Sequence, residues 1–171
     1  MRRMQCGELS LQKAVIPARS FSMRIAVGSD ERTNLTDFVV ADLKRRGHEV
    51  ICFGPITGDQ LPWPQVGETV ATQVQSGACE EGIVLCWTGT GVCIAANKVA
   101  GIRAALCSDP YTASGARKWN RANVLALSLR STSEAVAKEI LDEWFLPQTL
   151  QEEDRNHIAY LEEMETKYLH R

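Results

Sequence analysis

The run Leu85-Cys86-Trp87-Thr88-Gly89-Thr90-Gly91-Val92-Cys93-Ile94-Ala95-Ala96-Asn97-Lys98 holds the densest chemistry in the chain, because it sets a thiol and two hydroxyls at a glycine-paced bend. Gly89 and Gly91 let backbone N–H groups approach a ligand with no Cβ in the way, and a helix predicted from Gly91 points its positive end at the same spot. An oxyanion or a phosphate would be held there. Read blandly, Thr-Gly-Thr-Gly is only a tight turn and Cys86 only a small core hydrophobe.

Such a bend must be carried by a strand and a helix. Ile83 to Cys86 reads as a strand covered on both faces, and Ile94, Ala95 and Ala96 suit a packed helix. Upstream, Arg24-Ile25-Ala26-Val27-Gly28-Ser29-Asp30 is a short strand ending in a polar turn. Leu35, Phe38, Val39 and Leu43 then recur at helical spacing, before Lys44-Arg45-Arg46-Gly47 supplies cations and a glycine where a helix ends. Glu49 to Phe53 predicts a second strand, 54–64 a loop with Pro55, Gly58, Pro62 and Pro64, and Val66, Val70 and Val74 the next helical face. Strand 102–106, helix 110–118, strand 124–127 and helix 133–145 continue the alternation. That rhythm predicts an α/β fold with a mostly parallel five-stranded sheet, helices on both faces, and ligands at the carboxyl ends of the strands. Asp30, Cys86 and Asp109 fall at such ends. Past Pro147, Ile158, Leu161, Met164 and Tyr168 define a C-terminal helix with no strand to follow it, and residues 151–171 are assigned to a dimer contact.

At 171 residues, 44% of them hydrophobic and 23% charged, the chain is long enough for one domain with a real core. A net charge of −2 gives no broad basic field, so neither nucleic acid nor a membrane is an expected partner. No apolar stretch approaches the roughly 18 residues that span a bilayer, and a cytoplasmic location is expected. Cysteines 6, 52, 79, 86, 93 and 107 show no paired metal spacing, which favours reduced thiols with no metal. The first turn, Gly28-Ser29-Asp30, lacks the Gly-x-Gly-x-x-Gly pattern of a dinucleotide site, and no cofactor is expected. Residues 1–22 carry Arg2, Arg3, Lys13 and Arg19 against the single acid Glu8, and read as an extension outside a domain spanning 23–150. A chain beginning at Met23 is therefore expected to match the full chain in melting temperature and activity, whereas a loss in either would mean that the segment docks on the domain.

From Met23 to about Phe145 the chain resembles the ribose-5-phosphate isomerase B family, which includes the galactose-6-phosphate isomerase subunits. The carrying segments are Gly28-Ser29-Asp30, Cys86-Trp87-Thr88-Gly89-Thr90-Gly91, Ala95-Ala96-Asn97-Lys98, Gly101-Ile102-Arg103-Ala104-Ala105-Leu106-Cys107 and Asn123-Val124-Leu125-Ala126-Leu127. The resemblance implies a Rossmann-like three-layer αβα sandwich, a homodimer or homotetramer with sites shared between subunits, and aldose–ketose isomerisation through an enediolate. It implies Cys86 as the carbon base, Thr88 as the hydroxyl beside it, Gly89, Thr90 and Gly91 as oxyanion holders, Asp30 as an orienting acid and Asn120 as an amide near the enediolate. A free thiol near pKa ~8.5 becomes a useful base where N–H donors stabilise the thiolate.

The departures are as informative. Where the family has histidines, this chain has Glu31 after the first-strand acid and Trp119 before Asn120, and the glycine usual after the cysteine is Trp87. Glu31 is the candidate replacement acid, since indole transfers no proton. Trp63, Trp87 and Trp119 offer flat apolar walls for sugar C–H faces. Arg155 is the candidate phosphate cation in a stretch that aligns loosely. The expected activity is a sugar or sugar-phosphate isomerase with an altered substrate. The alternatives are a non-catalytic binding or regulatory member, or one subunit of a heteromeric enzyme.

Overall fold

A computed structural model describes residues 22–169, so the expectations for the N-terminal extension lie, Ser22 apart, outside the described residues. The elements run β1 (Arg24–Ser29), α1 (Asn34–Arg45), β2 (Glu49–Phe53), α2 (Trp63–Gln75), β3 (Glu81–Cys86), α3 (Thr90–Ala96), β4 (Ala104–Leu106), α4 (Pro110–Asn120), β5 (Val124–Ser128), α5 (Glu134–Trp144) and α6 (Glu152–Leu169). The strands are ordered β2-β1-β3-β5-β4 and every pairing is parallel, so the sheet expected to be mostly parallel is wholly so.

Strand alternation sorts the core into two layers. Ile25, Val27, Ile83, Leu85, Leu125 and Leu127 meet Val39 and Leu43 of α1 and Ile140, Leu141 and Trp144 of α5. Ala26, Val84, Cys86, Val124 and Ala126 meet Val66 and Val70 of α2 and Val92 and Ala96 of α3. This is the three-layer αβα sandwich, and it puts Cys86 on the α2 and α3 face.

Local chemistry explains the helix ends. Thr33 and Thr36 cap α1 reciprocally, and Ser133 Oγ accepts the Val136 N–H at the start of α5. Asp109 accepts the Thr112 hydroxyl at 2.6 Å and its N–H at 2.8 Å, and these bonds hold its carboxyl below the usual range. Its place at a strand end is thus accounted for by capping α4.

Several boundaries differ from the expected ones, some for reasons remote in sequence. β3 starts at Glu81, two residues before the apolar run, because Glu81 is buried: its Oε1 pairs with Arg117 at 2.5 Å, and its Oε2 accepts the Trp144 indole N–H at 2.6 Å. β4 starts at Ala104 and not at 102, where the Asn97 side chain binds both its N–H (2.9 Å) and its carbonyl (2.8 Å) as a neighbouring strand would. α2 begins at Trp63, inside the expected loop, with Pro62 as its N-cap and Pro64 in its first turn. α4 runs on to Asn120, so that residue ends a helix and does not sit in a loop, and Arg121 at φ 53 stops it. Within the chain α6 leans on its own domain, with Ile158 buried and Arg103 Nε donating to Glu165 at 2.6 Å, while Met164 and Tyr168 stay exposed.

Candidate active site

β3 lies at the centre of the sheet and ends at Cys86, whose side chain is 5% exposed among Val66, Val92 and Ala126. The chain turns at once. The N–H groups of Gly89 and Leu129 both donate to the Cys86 carbonyl, at 3.1 and 3.0 Å. Gly89 has φ 75, and a Cβ there would lie 2.9 Å from the Leu127 carbonyl carbon and oxygen, so glycine is required. α3 begins at Thr90, which leaves the N–H groups of its first turn without intrahelical acceptors. Thr88 and Thr90 are exposed and their hydroxyls are 2.7 Å apart. A thiol, two linked hydroxyls and unclaimed amides thus share the end of the central strand, which is the equipment to take a proton from carbon and hold the resulting oxyanion.

Two indoles flank this turn. A Cβ on Gly91 would lie 2.9 Å from the Trp63 ring, so the bare glycine seats that indole, and Trp63 and Trp87 remain 45% and 55% exposed. Asp30 follows β1, one residue beyond the Ser29–Leu85 pair, which sets it level with Cys86 on the adjacent strand. Its Oδ1 is buried and has no hydrogen-bond partner among the described residues. Burial pushes its carboxyl up, its own backbone N–H opposes this, and the Glu31 charge adds to the rise. Glu31 is exposed, with its backbone N–H on Ser29 Oγ at 3.3 Å.

Trp119, Asn120 and Arg155 are not gathered at Cys86 by their own chain. α4 starts at the carboxyl end of β4 and runs back toward the amino end of β5, at about 1.5 Å per residue, before it reaches Trp119. Trp119 rests on Gly115, meets Tyr111 edge-on with ring centroids 5.9 Å apart, and with Asn120 lines a groove that continues to Leu106. Leu106 Cδ1 would be 2.5 Å from a Cβ on Gly89, so this groove abuts the glycine turn. Arg155 is exposed on α6. A cleft of about 640 Å³ lies at the opposite end of the sheet, and its arginines are already paired: Arg103 with Glu165, Arg117 with Glu81 and Arg121 with Glu162.

Two residues near the turn escaped the sequence reading. Ser128 stands in register with Cys86, and its hydroxyl donates to the Trp87 carbonyl at 2.9 Å. Arg130 donates its backbone N–H to the same oxygen at 3.0 Å, and its exposed side chain makes no ion pair among the described residues. The available signal was position: strand 124–127 runs straight into Ser128-Leu129-Arg130 at the sheet end that carries Cys86. Ser128→Ala removes one of two bonds to the Trp87 carbonyl and the acceptor of the Ser131 N–H at 3.2 Å, with an expected cost of about 1 kcal/mol, or about 3 °C in melting temperature. Calorimetry beside a turnover assay checks this, and an unchanged melting temperature would show the bond to be idle.

Moving a proton between adjacent carbons calls for a base shielded from bulk water beside an oxyanion pocket, and the end of the central strand offers both. Comparison with known proteins gives the family. Residues 25–161 match the Ribose/Galactose Isomerase family, and the chain belongs to it. It is 41% identical over 124 residues to D-erythrulose-4-phosphate isomerase of Pectobacterium atrosepticum, covering 71% of this chain and 82% of that one. It is 44% identical over 106 residues to ribose-5-phosphate isomerase B of Escherichia coli, covering 62% and 71%. The structure of Clostridium thermocellum ribose-5-phosphate isomerase B superimposes with a TM-score of 0.78 at 41% identity, over 85% of this chain and 99% of that one.

Proposed function

We propose that the chain interconverts an aldose and a ketose phosphate of four carbons through an enediolate, with Cys86 as the carbon base. The observation that carries this reading is the Cys86 thiol level with the glycine turn, in a family of sugar isomerases. Thr88 and the amides after Gly89 hold the oxyanion, Trp63 and Trp87 wall the carbon chain, and the exposed Arg130 receives the phosphate. The chain length follows from what is missing. Glu31 and Trp119 stand where the resembling enzymes have histidines, and a four-carbon sugar phosphorylated on its terminal oxygen closes no ring, so it needs no ring-opening group. A relative at 41% identity is named for a four-carbon substrate, which supports this choice. Turnover on a panel of four-, five- and six-carbon sugar phosphates and their free sugars tests it: the four-carbon phosphates should react fastest, and a strong preference for ribose 5-phosphate would reject it.

The site is completed by a second copy of the chain. Leu106, Tyr111 and Trp119 are 37%, 73% and 41% exposed along the edge strand and α4, an apolar strip that begins beside the glycine turn. Pairing of two such strips about a two-fold axis brings the partner's Trp119 and Asn120 toward Cys86, with α6 and Arg155 adding to the contact. Sedimentation at micromolar concentration should show no stable monomer, and a well-folded monomer with full activity would contradict the shared site. A metabolic isomerase of this kind works in the cytoplasm, in line with the lack of any described helix long and apolar enough to cross a membrane.

A further inference from the structure

We infer that Asp30 is the proton shuttle between the two reacting oxygens of the substrate, a role that rests on the isomerase reading above. Three observations place it. The parallel register of β1 and β3 sets Asp30 level with Cys86, about 4.8 Å away strand to strand. Alternation along β1 brings it to the face it shares with the thiol: Gly28, two residues earlier, lies against Val66 and Val70 of α2, and Cys86 belongs to the same core layer as those valines. Asp30 Oδ1 is buried without a partner among the described residues, which leaves a carboxyl beside the base with one oxygen unclaimed by them. A buried polar atom without a partner costs stability and is retained where a ligand completes it. Burial also raises this carboxyl above its ordinary range, which makes it a better proton acceptor. Glu31, the acid suggested by the sequence, is exposed at the same turn.

The step balances without any further reactant. The Cys86 thiolate removes the proton from C2 of the aldose, an S–H bond forms, and the C–H electrons become the C1–C2 double bond of an enediolate charged on O1. The Asp30 carboxylate takes the proton of O2 and passes it to O1, which moves the charge to O2. As the C2–O2 double bond forms, the C1–C2 pair takes the proton from Cys86 at C1. The ketose leaves, and both the thiolate and the Asp30 carboxylate are restored. One carboxyl thereby moves a proton between neighbouring oxygens, with no need of the imidazole that Trp119 replaces.

Asp30→Asn keeps the shape but cannot carry the proton. On the four-carbon phosphate that the wild type turns over, kcat should fall about 10²- to 10⁴-fold with KM changed by less than about threefold, and the melting temperature should hold. A second reading separates proton transfer from binding or folding. In deuterated water the variant's Cys86 still exchanges the C2 proton of the aldose, so the ratio of exchange to ketose formation should rise at least about tenfold over wild type. A variant with kcat within about threefold of wild type, a loss confined to KM, or an unchanged exchange ratio would overturn the assignment. A wild type inactive on every sugar would instead reject the isomerase reading, before any variant is made.

Discussion

Replacing Cys86 by serine should lower kcat about 10²- to 10⁴-fold while the fold persists. Serine matches cysteine in shape, so the pocket among Val66, Val92 and Ala126 stays filled and the carbonyl bonds from Gly89 and Leu129 are untouched. Its hydroxyl ionises far less readily than a thiol, so the group that takes the carbon proton is lost while the oxyanion holders remain. Steady-state turnover with a melting curve checks both halves. Near-wild-type turnover would move the base elsewhere and return Cys86 to the role of a small core hydrophobe.

A comparable effect on stability, not chemistry, is expected at the other end of the sheet. Arg117 pairs with the buried Glu81, donates to the Ala122 carbonyl at 2.5 Å, and lies 5.0 Å over the Trp144 ring. Arg117→Met keeps much of the packing but leaves Glu81 with the Trp144 N–H alone. Breaking a buried pair in this way costs about 3–5 kcal/mol, or about 10 °C in melting temperature for a chain of this size. The pH dependence follows from the direction of the Glu81 shift. Burial already raises its carboxyl, with Arg117 and the indole bond opposing, so removing Arg117 raises it further. The unpaired charge therefore destabilises the variant most at neutral pH. As pH falls through the raised folded value toward the ordinary carboxylate range the folded carboxyl protonates, and the gap to wild type narrows. A gap that is constant with pH would mean that packing, and not the charge pair, carries the loss.

The two ends of the sheet differ in how well they could be read. The strand and helix rhythm was legible because each apolar run is local: Ile83 to Cys86 and 124–127 mark buried strands without reference to anything else. The start of β3 was not, because Glu81 looks like a solvent-facing acid until Arg117 and Trp144 come round to bury it. The start of β4 depends on Asn97, whose amide serves as a one-residue strand at the sheet edge. At the site, the thiol, hydroxyls and glycines were visible together because they are contiguous, and Asp30 because it ends a strand. Ser128 and Arg130 were hidden because their tie to Trp87 exists only once β5 pairs with β3. Trp119 and Asn120 were placed at the site by family resemblance, yet α4 carries them along the sheet edge to a groove with Leu106 and Tyr111.

The central claim, that proton transfer through Cys86 isomerises a four-carbon sugar phosphate, is tested most directly by carrying deuterium at C2 of the aldose and following it into product in ordinary water. The account predicts a ketose that has lost most of the label to solvent, because an exchangeable thiol holds it between C2 and C1, and no reaction in Cys86→Ser. A ketose that carries the full label at C1 would mean direct hydride transfer, and would contradict the enediolate route and the role of Cys86 together.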